Sequence, residues 1–208
     1  MKLFLASSID KTLNLLLNKL NYSLSGKKVL FIENASDNEE GDKWWITLDR
    51  EAFEKAGAKA ITLDLRENNK EAFKEKINEV DIIHFCGGSV LYLMSLIRKQ
   101  DLQQVIVDAV KNNDVLYTGT SAGSMIAARD LSLSKYDPDE KEFVEDVEDF
   151  SGLGLVDFLV IPHAGNKDFI ESDIKMVEKL PEYNQTLMFL YDNQAIWVEG
   201  EGIKLLSS

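Results

Sequence analysis

The stretch YTGTSAGSMIAARD (117–130) places a serine between two glycines and runs straight into a segment that can begin a helix. An apolar run, VLYT (115–118), leads into it. Strand, abrupt turn and helix is the order of a nucleophile elbow, and Gly119-Thr120-Ser121-Ala122-Gly123 fits its G-x-S-x-G pattern. Glycines on both sides clear side chains from the turn and allow close backbone approach. The first amides of the helix then point where negative charge would develop. The same five residues also fit a tight bend in which Ser121 only caps the helix.

Outward from this turn, KLFLASS (2–8), KVLFIENAS (28–36), KAITLDL (59–65), DIIHFCGG (81–88) and DVLYTGTS (114–121) read as strands. Their interiors are apolar without strict alternation, as expected where helices cover both faces of a sheet. Helical patterns lie between them. In WWITLDREAFEKAG (44–57), Trp45, Leu48, Ala52 and Ala56 recur at helical spacing, and Gly57 is a stop. A second pattern starts at Leu91, Met94 and Arg98, and LQQVIVDAVKNN (102–113) follows. This order predicts an α/β fold in three layers, a mostly parallel sheet flanked by helices.

After Asp130 the rhythm breaks. LSLSKYDPDEKEFVEDVEDFSGLGL (131–155) holds eight acids between Asp137 and Asp149 and reads as a solvated excursion. LVDFLVIPHAG (155–165) returns to an apolar run, and FIESDIKMVEKL (169–180) is helical in pattern. LMFLYD, QAIWVEG and GIKLLS close the chain, and turns at Asp192-Asn193 and Gly200–Gly202 predict a C-terminal antiparallel ribbon. No repeat, low-complexity linker or boundary interrupts residues 1–208, which read as one domain.

Composition narrows the function. The net charge is -13, from 23 basic and 36 acidic residues, so the field of the protein opposes a nucleic-acid partner. Cys86 is the sole cysteine, so no intrachain disulfide forms. The N-terminal MKLFLASSIDKTLN lacks the apolar core of a signal peptide, and no run approaches the roughly 20 apolar residues of a membrane span. The expectation is a cytoplasmic protein without a membrane partner.

The chain has two histidines. His163, in FLVIPHAGNKDF, stands just beyond an apolar strand, where ligands gather in parallel sheets. There it could take a proton from Ser121 and return it to a leaving group. His84 lies in the body of a strand and reads as a packed side chain. Two distant histidines and one cysteine make a poor zinc set, so no metal and no cofactor are expected. Gly87-Gly88 follow a strand and can turn amides inward toward an oxyanion, or form a plain turn. Cys86, among apolar neighbours, reads as a small buried hydrophobe.

GTSAGS, the Gly-Gly turn and LGLVDFLVIPHAG together resemble peptidase family S51, roughly from Lys2 to Trp197. That family includes the aspartyl dipeptidase and cyanophycinase, and its fold is similar to the class I glutamine amidotransferases. The resemblance implies a serine peptidase acting on short peptides, with Ser121 as nucleophile and His163 as base. It implies oxyanion amides at Gly88 and Ala122. The family's glycine turn ends in asparagine, and here Ser89 stands in its place, as a candidate substrate contact. The third catalytic member matches Asp137, before Pro138, with Asp139, Glu140 and Asp157 as competitors. Dipeptides with N-terminal aspartate are the implied substrates of the aspartyl dipeptidase, which needs a cationic pocket. The segment after His163 has no arginine, so Lys167 or Arg129 is the candidate cation. Alternatives are an amidase or esterase, a glutamine amidotransferase-like domain, and an inactive ligand-binding homologue. A monomer or homodimer is expected.

Overall fold

A computed structural model describes residues 1–208 except Tyr22 and Asp146. Asp146, one of the eight acids of the excursion, therefore lies outside the described residues. The elements run β1 (Lys2–Ala6), α1 (Ile9–Leu20), β2 (Lys28–Ile32), α2 (Trp44–Lys55), β3 (Lys59–Thr62), α3 (Lys70–Ile77) and β4 (Ile82–Phe85). Then come α4 (Val90–Lys99), α5 (Gln103–Asn112), β5 (Leu116–Thr120), α6 (Ala122–Met125) and α7 (Lys141–Val144). The chain ends with β6 (Phe158–Ile161), α8 (Ile170–Lys179), β7 (Thr186–Phe189), β8 (Gln194–Glu199) and β9 (Gly202–Ser207).

Seven strands form one sheet in the order β3-β2-β4-β5-β1-β8-β9. The first five are mutually parallel. β8 pairs antiparallel to β1, and β9 pairs antiparallel to β8. The expected three-layer α/β fold with a C-terminal antiparallel ribbon is present, with its ribbon in β8 and β9. One detail differs. LMFLYD does not join that ribbon: β7 pairs parallel with β6 in a separate two-stranded sheet. The crossover helix α8 makes a parallel pairing the natural outcome.

Alternation along the strands divides the core between two faces. Leu3, Leu5, Leu30, Ile32, Ile83, Phe85 and Tyr117 belong to the larger cluster, which includes residues of α3 through α6. Phe4, Ala6, Val29, Phe31, Ile82 and Leu116 belong to the other, with Ile9, Leu13 and Leu16 of α1 and Phe53 of α2. Both faces of the central strands are thus covered, which explains their near-continuous apolar sequence. Each fully buried leucine or phenylalanine contributes roughly 1.5–3 kcal/mol of transfer free energy. Among the described residues, no helix is long and apolar enough to cross a membrane.

The glycines of the Ser121 turn are steric requirements. A Cβ on Gly123 would overlap the Phe85 carbonyl at the end of β4. A Cβ on Gly119 would overlap the Gly123 backbone. Gly123→Ala is therefore expected to lower the unfolding free energy by about 1–3 kcal/mol, through overpacking that no rotamer can relieve. Urea denaturation with the slope held common to both proteins measures it, and an unchanged midpoint would show that β4 can move aside.

Candidate active site

Ser121 has φ 51° and ψ -115°, a conformation that L-residues seldom adopt. Its amide donates to the Ala6 carbonyl (3.1 Å), which fixes the turn to the end of β1. Its side chain makes no capping hydrogen bond to α6, so the capping alternative does not describe it. The turn opens into a cavity of about 620 Å³. The walls come from the C-terminal ends of the parallel strands: Ser8 after β1, Ala35 after β2, Gly87 and Gly88 after β4, and Ser121 after β5. Pro162 and His163 enter from β6, and Asp192 from the turn before β8.

His163 is held by both its backbone and its ring. Its backbone has φ 58°, and its amide donates to Ser7 Oγ at 2.8 Å. Nδ1 lies 2.6 Å from Asp192 Oδ1 and 3.4 Å from Ser7 Oγ. Ser7 Oγ donates to the same Asp192 oxygen at 3.1 Å. The ring stacks on Phe169, with centroids 4.6 Å apart. With Nδ1 taken by the carboxylate, Nε2 is the nitrogen left for a ligand. Burial pushes the Asp192 carboxyl up, but hydrogen bonds from Lys11 and His163 outweigh it and hold the pKa down at about 2. Lys11 Nζ sits 2.8 Å from Asp192 Oδ2.

The acid beside His163 is therefore Asp192, and neither Asp137 nor its three competitors occupies that position. Asp137 lines the cavity but accepts from the Asp139 amide (3.0 Å) and from Ser172. Burial raises its pKa. Asp139 is exposed on the rim, and Asp157 pairs with Arg129 in an exposed ion pair at 2.7 Å. Glu140 is 3% exposed and seals the start of α4. Its carboxylate accepts from Ser89 Oγ (2.6 Å), Val90 N (2.5 Å) and Leu91 N (3.1 Å). Burial pushes it up to about 7 against those hydrogen bonds.

Ser89 lines the cavity, but its hydroxyl is engaged by Glu140 and by the Tyr92 amide. Gly88 also lines the cavity, with φ 139°, and a Cβ there would overlap Ala35. Ala122, 1% exposed, opens α6 directly behind Ser121. Lys167 is exposed and is not part of the wall, where Lys11 is the one lysine or arginine among the described residues. Ser7 and Asp192 are the residues that sequence reasoning missed. Their signals were the Ser7-Ser8 pair ending the first parallel strand and the acid in the turn before β8.

The serine-type assignment does not stand. No hydrogen bond joins Ser121 Oγ to His163 among the described residues, whereas Asp49, His84 and Cys86 bring a carboxylate, an imidazole and a thiol within 4.8 Å of one another. Those are the three groups of a cysteine-type rather than a serine-type hydrolase. His84 and Cys86 are thus not isolated packing residues. His84 Nε2 is 3.4 Å from Asp49 Oδ2, and Nδ1 is 3.0 Å from Thr118 Oγ1. Burial, then the Asp49 carboxylate, pushes the Cys86 thiol well above its usual range. The description as a serine peptidase for short peptides, with N-terminal aspartate as a preferred residue, is withdrawn with the nucleophile on which it rested.

Comparison with known proteins agrees with the architecture. The chain is 32% identical over 202 residues to an uncharacterised peptidase of Pasteurella multocida, covering 96% of this chain and 94% of that one. It is 27% identical over 201 residues to an uncharacterised peptidase of Listeria monocytogenes, covering 97% and 96%. A crystal structure of a candidate peptidase E from Listeria monocytogenes superposes with a TM-score of 0.89 at 25% identity, covering 100% of this chain and 98% of that one. The family model for peptidase family S51 matches residues 3–206, and the chain belongs to that family.

Proposed function

We propose that the protein is an amide hydrolase of the glutamine amidotransferase-like architecture, acting on small peptide-like substrates that carry positive charge. The observation that carries this reading is the His163–Asp192 pair, 2.6 Å apart, inside a cavity lined by acids. In this reading His163 Nε2 gives a proton to the leaving amine, and Asp192 holds the tautomer and favours the imidazolium. The amides of Gly88 and Ala122 stabilise the oxyanion, and Ser121 and Asp137 contact the substrate. The C–N bond breaks, hydroxide from water ends on the carbonyl carbon, and the proton ends on the amine.

Charge supports the substrate class. Glu39, Asp137, Asp139, Glu140, Glu142, Asp168, Asp173 and Asp192 line the cavity, and Lys11 is held by Asp192. Such a wall repels an aspartate and attracts an ammonium or guanidinium. Ser121→Ala is expected to keep turnover of a cationic amide within about tenfold of the parent, as loss of one substrate contact would; a fall to background would overturn that role.

Asp192→Asn is expected to lower kcat/KM by about 10²–10⁴-fold with little loss of fold, because the imidazole loses its orienting charge. Activity within threefold of the parent would remove His163–Asp192 from the reaction. Across a dipeptide panel, substrates with N-terminal lysine or arginine are expected to exceed their aspartate counterparts by at least about tenfold in kcat/KM, a gap that narrows as salt rises. An equal or reversed preference would refute the charge argument. Acid unfolding supplies a third check. The folded pKa of Asp192 is depressed to about 2, so its contribution to stability is present above the unfolded value near 4 and is lost as pH falls through about 2. Asp192→Asn should flatten the stability profile in that window, and an unaltered profile would show the pair to be energetically silent.

A further inference from the structure

Beneath the cavity, on the face of the sheet covered by α1 and α2, three chemically active side chains meet in the core. Asp49 is 1% exposed, and His84 and Cys86 are fully buried. None of the three lines the cavity above. The His84 ring lies between Phe31 and Phe53, at centroid distances of 4.9 and 5.0 Å, so it cannot swing to another partner.

Hydrogen accounting shows what this cluster lacks. Thr118 Oγ1 donates its one hydrogen to the Ile83 carbonyl (3.2 Å). The contact between Thr118 Oγ1 and His84 Nδ1 then needs its hydrogen on Nδ1. Nε2 is left as a bare lone pair, and it faces Asp49 Oδ2 at 3.4 Å. Both atoms are buried, and among the described residues neither has a hydrogen-bond partner. Two acceptors facing each other in a low-dielectric core are costly unless a cation joins them.

We propose that Asp49, His84 and Cys86 form a binding site for a divalent transition metal of the zinc class, ligated by a carboxylate oxygen, Nε2 and the Cys86 thiolate. The donor set, one oxygen, one nitrogen and one sulfur, suits a borderline dication. Two ligands about 2.0–2.1 Å from one tetrahedral ion sit roughly 3.4 Å apart, which is the Asp49–His84 separation here. The third donor is within 4.8 Å of both. Charge also closes: a dication with one carboxylate and one thiolate sums to zero, so the core holds no net charge. Thr118 holds the far nitrogen of the imidazole, as a partner behind a metal-bound histidine does.

The test uses the full chain, purified without a metal-affinity tag. It is unfolded with chelator and reductant, refolded with Zn(II) or Co(II), and gel-filtered. One equivalent of metal per chain is expected, with a thiolate-to-cobalt charge-transfer band and a higher thermal midpoint in zinc than in chelator. Cys86→Ala should abolish the band and weaken binding by at least about 100-fold, more than loss of a partner behind a ligand costs. Asp49→Asn, nearly isosteric, should keep the band and bind more weakly, and it serves if the cysteine variant fails to fold. Less than about a tenth of an equivalent retained by the refolded parent overturns the proposal. So does a cobalt spectrum without the thiolate band, or a midpoint indifferent to metal, which would leave a proton shared between Asp49 and His84.

Discussion

The close approach of α6 to β4 is the constraint on which the cavity depends. The first turn of α6 lies against the Phe85 carbonyl at the end of β4, with only glycine hydrogens between them at Gly123. That approach holds β4 and β5 in register and forces Ser121 into a conformation that would otherwise relax. The tie from the Ser121 amide to the Ala6 carbonyl extends the same constraint to β1. The cavity exists because three adjacent strands end at one level with small residues, and the glycines make that level possible. Backbone strain of order 1–3 kcal/mol at Ser121 is tolerable only because the two clusters packed on the sheet fix its surroundings.

Much of this was legible beforehand, for identifiable reasons. The central strands announce themselves because both faces are buried, so their sequences are largely apolar, as in KVLFI and KLFLA. The glycine turn was readable because its requirement is local. The acid beside His163 was not. Asp192 is 29 positions away and reaches the imidazole only because β7 leaves one sheet and β8 enters another. No local pattern reports that crossing. Asp137 matches a family motif in sequence, yet its carboxylate is used by the Asp139 amide and Ser172. Ser89 and Glu140 show the same limit: each looked available, and each is spent on the start of α4.

The buried cluster was partly visible. His84 and Cys86 are two residues apart in an extended segment, a spacing that puts both on one face. Asp49 is the unreadable member, since an acid on the inner side of α2 breaks the helical pattern instead of completing it. A polar residue where the amphipathic stripe asks for an apolar one was the available signal. It needed the strand register to acquire a partner.

The pairing of β6 with β7 outside the main sheet has a consequence for how the proposed reaction would be tuned. His163 rides on one sheet and Ser121 on another, so their separation is a property of the seam between two bodies. Side chains that pack across that seam act as shims. Near-attack geometry is unforgiving, since an ångström of displacement can cost roughly a hundredfold in rate. Changes in volume at Ile161 or Leu190, apolar residues of the core cluster shared with the main sheet, would thus shift His163 relative to the Ser121 turn without altering a polar group.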